Sequence, residues 1–388
     1  MVDGGLFPKS EAGLIGTAFF VCYGVGQVFS GFLGDKVSPF LLIFLGMSGA
    51  TLTNLAMGFL DSFAALCVVW GLNGLLQSLI WSPLLWLFAN VLPENQRQKA
   101  CVNISTTFPL GTLTSYFLSM VVMQAWGWQA AFIAAAVPLG AVTLLWLFGS
   151  MRVRRQQERD STEARAAAAA ADVQPAPLPR APGKYTLGKL LALSGAVMMM
   201  LPIAIQGMLK DGVATWVPTM ITETFSVDPS FAVSLSMLLP IASLLGGYAG
   251  SFVNRRWLRN EIVTALVFYV FSLLGLIVLF LAGSRSIVVS IAMLALIVFA
   301  VHAINIMIIT LVPVQFARYG KTSTMTGLLN ATAYAGGAAS TYGIGLFAER
   351  IGWSYTVLLW VALCVVALLL LLPVIRRWDR FKRLENEA

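Results

Sequence analysis

Long apolar runs separated by short polar gaps dominate this chain, and several reach the roughly 20 residues that a helix needs to cross about 30 Å of hydrocarbon. A backbone placed in hydrocarbon must satisfy every N–H and C=O internally, so only helices and closed barrels can span it. Barrel strands would alternate apolar and polar residues over about 10 positions. Here every side of each run is apolar, which leaves the helix. Of the 388 residues 58% are hydrophobic and only 11% charged, whereas a soluble domain carries about 25% charged residues. The expected fold class is all-α, a polytopic protein with the lipid bilayer as its solvent.

The runs predict eleven spanning helices, at 12–34, 39–58, 64–91, 101–123, 129–151, 190–221, 229–253, 261–282, 287–314, 323–347 and 352–373. The net charge of +8 raises the question of nucleic acid, and the positions of the basic residues answer it. Alternate gaps hold Lys36, then Arg97 and Lys99, then the stretch from Arg152 to Lys189, then Arg255, Arg256 and Arg259, then Arg318 and Lys321, and finally Arg376 to Arg383. These gaps contain 21 of the 25 basic residues, while the opposite set holds only Lys9, Arg285 and Arg350. That imbalance is the positive-inside signature, which predicts a cytoplasmic central linker and carboxyl terminus in a cell membrane, read as a bacterial inner membrane. No nucleic-acid partner is implied.

Cys22, Cys67, Cys101 and Cys364 all lie in or beside apolar runs, with no CxxC pair and no histidine near them, so they read as packing residues. The sequence holds no nucleophile–base set, metal-ligand spacing or phosphate loop, so neither an enzyme nor a bound cofactor or metal is expected.

The middle of the chain differs in kind. Residues 152–189 are basic, contain the run Ala166 to Ala171 and then Pro175, Pro177, Pro179 and Pro182, and read as a solvated linker between two halves, 1–151 and 190–388. A short helix through 163–171 is compatible with this composition. The halves resemble each other: Gly111 followed by Gly127-Trp128 recurs as Gly336 followed by Gly352-Trp353, 225 residues later. A looser echo joins Gly31, Gly34, Asp35 and Lys36 to Gly246, Gly250, Asn254 and Arg255. The matches run in parallel order, the repeat type of the two halves of major facilitator transporters. By that repeat, 190–221 lacks a first-half counterpart, so a further helix is expected upstream of Met1, making twelve.

Specific residues carry a family resemblance. Gly13-Leu14, Tyr23-Gly24, Gly31, Gly34, Asp35 and Pro39 are similar to the second helix of the organophosphate:phosphate antiporters, the glycerol-phosphate and hexose-phosphate carriers of the major facilitator superfamily. The resemblance extends through Gly74, Gln77, Trp81 and Pro83, then Gly212-Val213, Trp216 and Pro218-Thr219, and on to Gly327, Tyr334 and Gly336-Gly337. Residues 1–6 look like the family's loop after its first helix. The resemblance implies a transporter fold of two pseudo-repeated halves that rock about a site near the bilayer midplane. It also implies a phosphate clamp of two arginines helped by a lysine and a histidine. At the matching positions this chain has Gln27 for the lysine, Phe108 for the histidine and Lys210 for the arginine of the seventh helix. Lysine is a point charge without arginine's bidentate fork, so phosphate recognition must differ in detail.

Lys210 is the sharpest candidate for substrate binding, because an ammonium near mid-membrane costs about 3 kcal/mol on the insertion scale and is seldom kept without a partner or a wet cavity. The bland alternative is snorkelling, or a structural pair with Asp211. Adjacent helical residues point about 100° apart, so a close pair is expected to need a bend, which Gly207 and Gly212 would permit. Tyr23 with Gln27, Asn73 with Gln77 and Trp81, His302 with Asn305, and Asn330 with Tyr334 each recur at helical spacing and predict polar faces. Interhelical hydrogen bonding explains any one of them equally well. Phe108, Trp81 and Trp216 either stack on a substrate ring or fill the core. His302 and Asp211 are candidates for proton coupling. Asp35 and Lys36 resemble the superfamily's cytoplasmic gating signature, with a capped turn as the alternative. Glycines such as Gly24, Gly31 and Gly34 permit close helix approach, and Pro202, Pro218 and Pro240 bend helices.

The function expected from these readings is alternating-access transport of a small organic anion by antiport, in a protein acting as a monomer. Proton-coupled symport, or a transporter-like sensor of sugar phosphates, is the alternative.

Overall fold

The computed structural model describes residues 9–170 and 185–387, so residues 1–6 and the prolines at 175, 177, 179 and 182 lie outside the described residues. Among the described residues every regular element is helical: α1 (Lys9–Gly34), α2 (Pro39–Met57), α3 (Phe63–Val91), α4 (Glu94–Ser105), α5 (Thr107–Ala170), α6 (Leu187–Ser194), α7 (Ala196–Phe225), α8 (Pro229–Ser236), α9 (Leu238–Val253), α10 (Glu261–Ala282), α11 (Ile287–Asn305), the single turn α12 (Val312–Val314), α13 (Thr322–Ile351) and α14 (Trp353–Glu387). Nine stretches among the described residues are long and apolar enough to cross a membrane. Two further expected spans fall outside the nine: 101–123, which is divided at Thr106 between α4 and α5, and 323–347, which is helical within α13. The first carries Ser105, Thr106, Thr107, Thr112 and Thr114, and the second a comparable density of threonine, glycine and asparagine.

Several boundaries differ from the sequence expectation for identifiable reasons. The expected span 190–221 is two helices, because Gly195 takes a left-handed φ of 76° between α6 and α7. The span read as ending at 151 continues as α5 to Ala170, so helix runs through the first part of the expected linker and takes in most of the short helix compatible with 163–171. Its alanine-rich composition has the highest intrinsic helix propensity.

The Gly-Trp repeat has a structural counterpart. Gly127 lies within α5 at φ 81°, ψ 177°, and Gly352 separates α13 from α14 at φ 89°. Both are conformations that essentially only glycine adopts without strain, and each turns the chain before a tryptophan. Gly127→Ala is therefore expected to destabilise by about 1–3 kcal/mol. Gly111→Ala, at a helical glycine with open space around it, is expected to be neutral or slightly stabilising. Thermal unfolding of the two purified variants separates these outcomes.

The chain divides into two compact units. Among the described residues, one comprises 9–86, 118–170 and 316–324, and the other 87–117, 185–315 and 325–387. In the first, α1 and α3 approach through glycine: a Cβ on Gly74 would overlap the Phe19 carbonyl, and one on Gly26 would overlap the Ser78 side chain. Ile15, Met57 and Leu66 form a buried cluster against which Trp70, Trp128 and Phe132 pack, and the Trp70 and Phe132 rings meet edge to face at 5.3 Å. In the second unit Gly246 receives the Phe299 carbonyl and Gly250 packs on Ala303. The Tyr269 hydroxyl donates to the Pro202 carbonyl at 2.7 Å, tying α10 to α7. Cys364 and Cys101 are free, fully buried thiols in this core.

Candidate functional site

Within the second unit α7 carries Lys210 and Asp211 through an unbroken helix, Ala196–Phe225. Lys210 Nζ lies 3.4 Å from Asp211 Oδ1. The expected backbone bend is not needed, since the long lysine stem swings across the 100° between neighbours. Gly207 and Gly212 serve instead as contact points, Gly207 receiving the Ala333 carbonyl and Gly212 the Ser340 hydroxyl. The Ser340 hydroxyl also donates to the Met208 carbonyl at 2.8 Å, and Asp211 Oδ2 rests on Gly337. Thus α13 supplies a seat of small residues that holds this turn of α7 and aims both charged side chains.

Lys210 Nζ sits over two aromatic faces, 5.6 Å from the Phe108 ring centroid and 5.3 Å from that of Tyr334. Ring quadrupoles attract a cation, and more strongly where water is excluded. The Phe108 ring also faces His302 at 6.0 Å between centroids. Four expected site residues, Phe108, Lys210, His302 and Tyr334, are therefore neighbours. Asn330 is buried one turn before Tyr334 on α13. Asn305 accepts a hydrogen bond from Gln206 Nε2 at 3.3 Å, and the same amide reaches the Val301 carbonyl at 3.5 Å.

Gln206 was not among the residues read from sequence, although it lies one helical turn before Lys210 and is 1% exposed. Its Oε1 and His302 Nδ1 are buried with no protein partner among the described residues. Directly after Asn305 the helix widens into a π turn, Ile306–Leu311, a distortion that recurs at functional sites. Trp216 has a different role: its Nε1 donates to the Thr341 carbonyl at 3.2 Å, its ring packs on Gly345 and lies 6.4 Å from that of Trp353.

The first unit holds the other candidates. Gln27 is fully buried, with Nε2 donating to the Ser78 carbonyl at 3.3 Å and Oε1 accepting from Ser82 at 3.1 Å, so both ends of the amide tie α1 to α3. Tyr23 stacks on Phe19 at 5.8 Å. Gln77 Nε2 donates to Asn73 Oδ1 at 3.1 Å, which leaves Asn73 Nδ2 and Trp81 Nε1 as buried donors without a protein partner among the described residues. Two donors on one stretch of α3 can receive an anionic oxygen.

Asp35 lies just beyond α1 and caps α13. Oδ1 accepts from the Ser323 N–H at 2.9 Å, and Oδ2 accepts from the Thr324 N–H at 2.8 Å and from the Thr324 hydroxyl. A carboxylate at a helix N-terminus satisfies donors that have no partner within the helix and complements the helix dipole. Burial pushes the Asp35 carboxyl above its usual range, while Thr324, Ser323 and the nearby Lys321 pull it back. Its sequence neighbour Lys36 is exposed. Asp35→Ala is expected to cost about 1–2 kcal/mol through the uncapped donors. Asp35→Asn, which retains one acceptor, should fall between, as read by thermal unfolding.

Among the described residues no three His, Cys, Asp or Glu side chains are grouped to hold a metal ion. Residues 6–341 match the family model described as Major Facilitator Superfamily. The chain belongs to that superfamily. It is 22% identical to Sugar phosphate exchanger 3 of Gallus gallus over 96% of this chain and 81% of that one. A shorter match, 27% identical over 32% of this chain and 28% of the relative, is to the Probable hexose phosphate transport protein of Chlamydia pneumoniae. Among solved structures the chain is similar to the E. coli fucose:proton symporter, with a TM-score of 0.69 and 12% identity over 94% of this chain and 90% of that one. It is likewise similar to the human organic anion transporter MFSD10, with a TM-score of 0.69 and 16% identity over 95% and 86%. The architecture is thus the major facilitator fold, reached at sequence identities where only the fold is shared.

Proposed function

We propose that this major facilitator protein exchanges small organic anions, of the sugar phosphate class, by alternating access. The observation that carries the reading is Lys210, a cation over two aromatic rings, one of which also faces His302. Such a charge attracts an anion and, when unoccupied, resists passage through a dry intermediate state, which favours exchange over uniport. The named sugar phosphate exchanger, aligned over 96% of this chain, supports the same substrate class. His302, Asn305, Asn330 and Tyr334 serve beside Lys210, and Tyr23, Gln77, Asn73 and Trp81 serve from the first half. Gln27 and Trp216 hold the walls. Asp35 and Lys36 form the conformational gate. We further infer a monomer in a bacterial inner membrane, with halves 1–151 and 190–388 and with the 152–189 linker and carboxyl terminus in the cytoplasm.

The deciding experiment loads proteoliposomes with inorganic phosphate and follows uptake of labelled glucose 6-phosphate. Uptake that requires an internal anion is the expected result. A second reading, proton-coupled symport, draws on the carboxylate of Asp211 lying 3.4 Å from Lys210, since an anion entering there competes with it. Uptake indifferent to internal anion and driven by an inward proton gradient would establish that reading in place of exchange.

A further inference from the structure

The turn between α9 and α10, with the end of α14, forms a basic ledge that anion exchange does not use. The turn is a π-helical segment, Asn254–Leu258, closed by Arg259 at a left-handed φ of 51°. Asn260 Oδ1 then caps α10 by accepting from the N–H groups of Ile262 and Val263. Its Nδ2 donates to Asp379 Oδ1 on α14 at 2.7 Å. Lys382 Nζ donates to the Arg259 carbonyl at 3.2 Å and pairs with Glu261 at 3.0 Å. Glu261 also accepts from Trp378 Nε1 at 2.8 Å and from Gln315 Nε2 at 3.3 Å. These contacts fasten the end of the turn to α14 and engage the carboxylates of Glu261 and Asp379.

What remains is cationic. The turn carries Arg255, Arg256 and Arg259, and the end of α14, tied to it through Asn260, Glu261 and Lys382, carries Arg380, Lys382 and Arg383 beside Asp379. All five arginines are exposed. Trp257, 68% exposed, projects from the same turn, and its ring meets that of Phe252 edge to face at 5.7 Å. The ledge lies where three membrane-crossing stretches end, Ser234–Leu258, Glu261–Arg285 and Trp353–Arg383. Exposed aromatic rings beside guanidinium groups at the end of spanning helices match the membrane–water boundary, where tryptophan is enriched.

We propose that this ledge binds the headgroup of an anionic phospholipid. The arginines take its phosphate, for which the guanidinium fork is geometrically suited, and Trp257 and Phe252 lie against its glycerol and upper acyl region. Free phosphate would satisfy the arginines and leave the aromatic pair without a role, which favours the lipid.

The test titrates phosphatidylglycerol into the full chain in phosphatidylcholine-doped detergent micelles, reading bound lipid by native mass spectrometry and the midpoint of thermal unfolding. The wild type is expected to retain phosphatidylglycerol and melt higher with it. R255Q/R256Q should bind it about thirtyfold more weakly, about fivefold per arginine, with its melting in phosphatidylcholine unchanged. R380Q/R383Q reads the other wall of the ledge if the first variant does not fold. R285Q/R350Q, in the sparsely basic gaps, should bind as the wild type does. Equal weakening in all three double variants would mean bulk charge and would overturn the proposal. The same thermal shift with inorganic phosphate alone would overturn it too.

Discussion

Replacing Lys210 by alanine is expected to lower the rate of anion exchange by about 10- to 150-fold, the span that a charge-assisted hydrogen bond of roughly 1.5–3 kcal/mol represents. The ammonium lies over the rings of Phe108 and Tyr334 and is paired at 3.4 Å with Asp211. Removing it takes away the attraction for the substrate and leaves the carboxylate of Asp211 to repel the same anion. Lys210→Ala/Asp211→Asn separates the two effects. It removes the repulsion without restoring the cation, so it should fold as well as the wild type and still exchange poorly. Initial rates and competition by unlabelled anions in proteoliposomes measure both variants. Wild-type exchange and competition in Lys210→Ala would remove Lys210 from the site.

The largest stability effect is expected from alanine at Gly207 or Gly336. The two helices approach backbone to backbone: the Ala333 carbonyl of α13 fills the space beside Gly207, and the Ala204 carbonyl of α7 fills the space beside Gly336. A methyl group at either position meets a carbonyl oxygen, which cannot rotate away as a side chain can, so α7 and α13 must separate. Overpacking of this kind costs typically 1–3 kcal/mol, and a rigid backbone neighbour places each variant at about 3 kcal/mol or more. The double variant should lose less than the sum, because one separation relieves both clashes. Gly343→Ala, on α13 with nothing within 4 Å of the added atom, is the control and should melt as the wild type does. A wild-type melting curve for Gly207→Ala would contradict the close approach of the two helices. This contact also bears on the site, since the neighbouring Gly337 and Ser340 seat Asp211 and the Met208 carbonyl. Destabilisation and loss of exchange should therefore appear together.

Much of this was legible in the chain because it depends on local composition. Spanning helices follow from apolar run length, and the Gly127-Trp128 and Gly352-Trp353 echo was readable because both glycines do the same backbone task, each at a positive φ near 80–90°. Lys210 stood out because a charge within an apolar run needs a reason. The partners were not legible, since they lie far away in sequence. Asp35 reads as part of a turn, but its acceptance of the Ser323 and Thr324 N–H groups joins residues nearly 290 positions apart. Gln206 sits one turn from Lys210, but an amide within a helix carries no sign of whether Asn305 will meet it. Gln27 and Trp216 were read as open to substrate or to packing. Their hydrogen bonds to Ser78 and Ser82, and to Thr341, show how each is engaged.

By itself the sequence determined the solvent, the helical class, the spacing of the spans and the excess of positive charge in alternate gaps, because each follows from the cost of placing backbone or charge in hydrocarbon. Tertiary structure alone decided which polar groups are consumed by neighbours and which stay available, where glycine admits a carbonyl, and how Phe108, Lys210, His302 and Tyr334 come together. Those outcomes depend on contacts between distant segments, and helical periodicity places a residue on a face without saying what that face will meet.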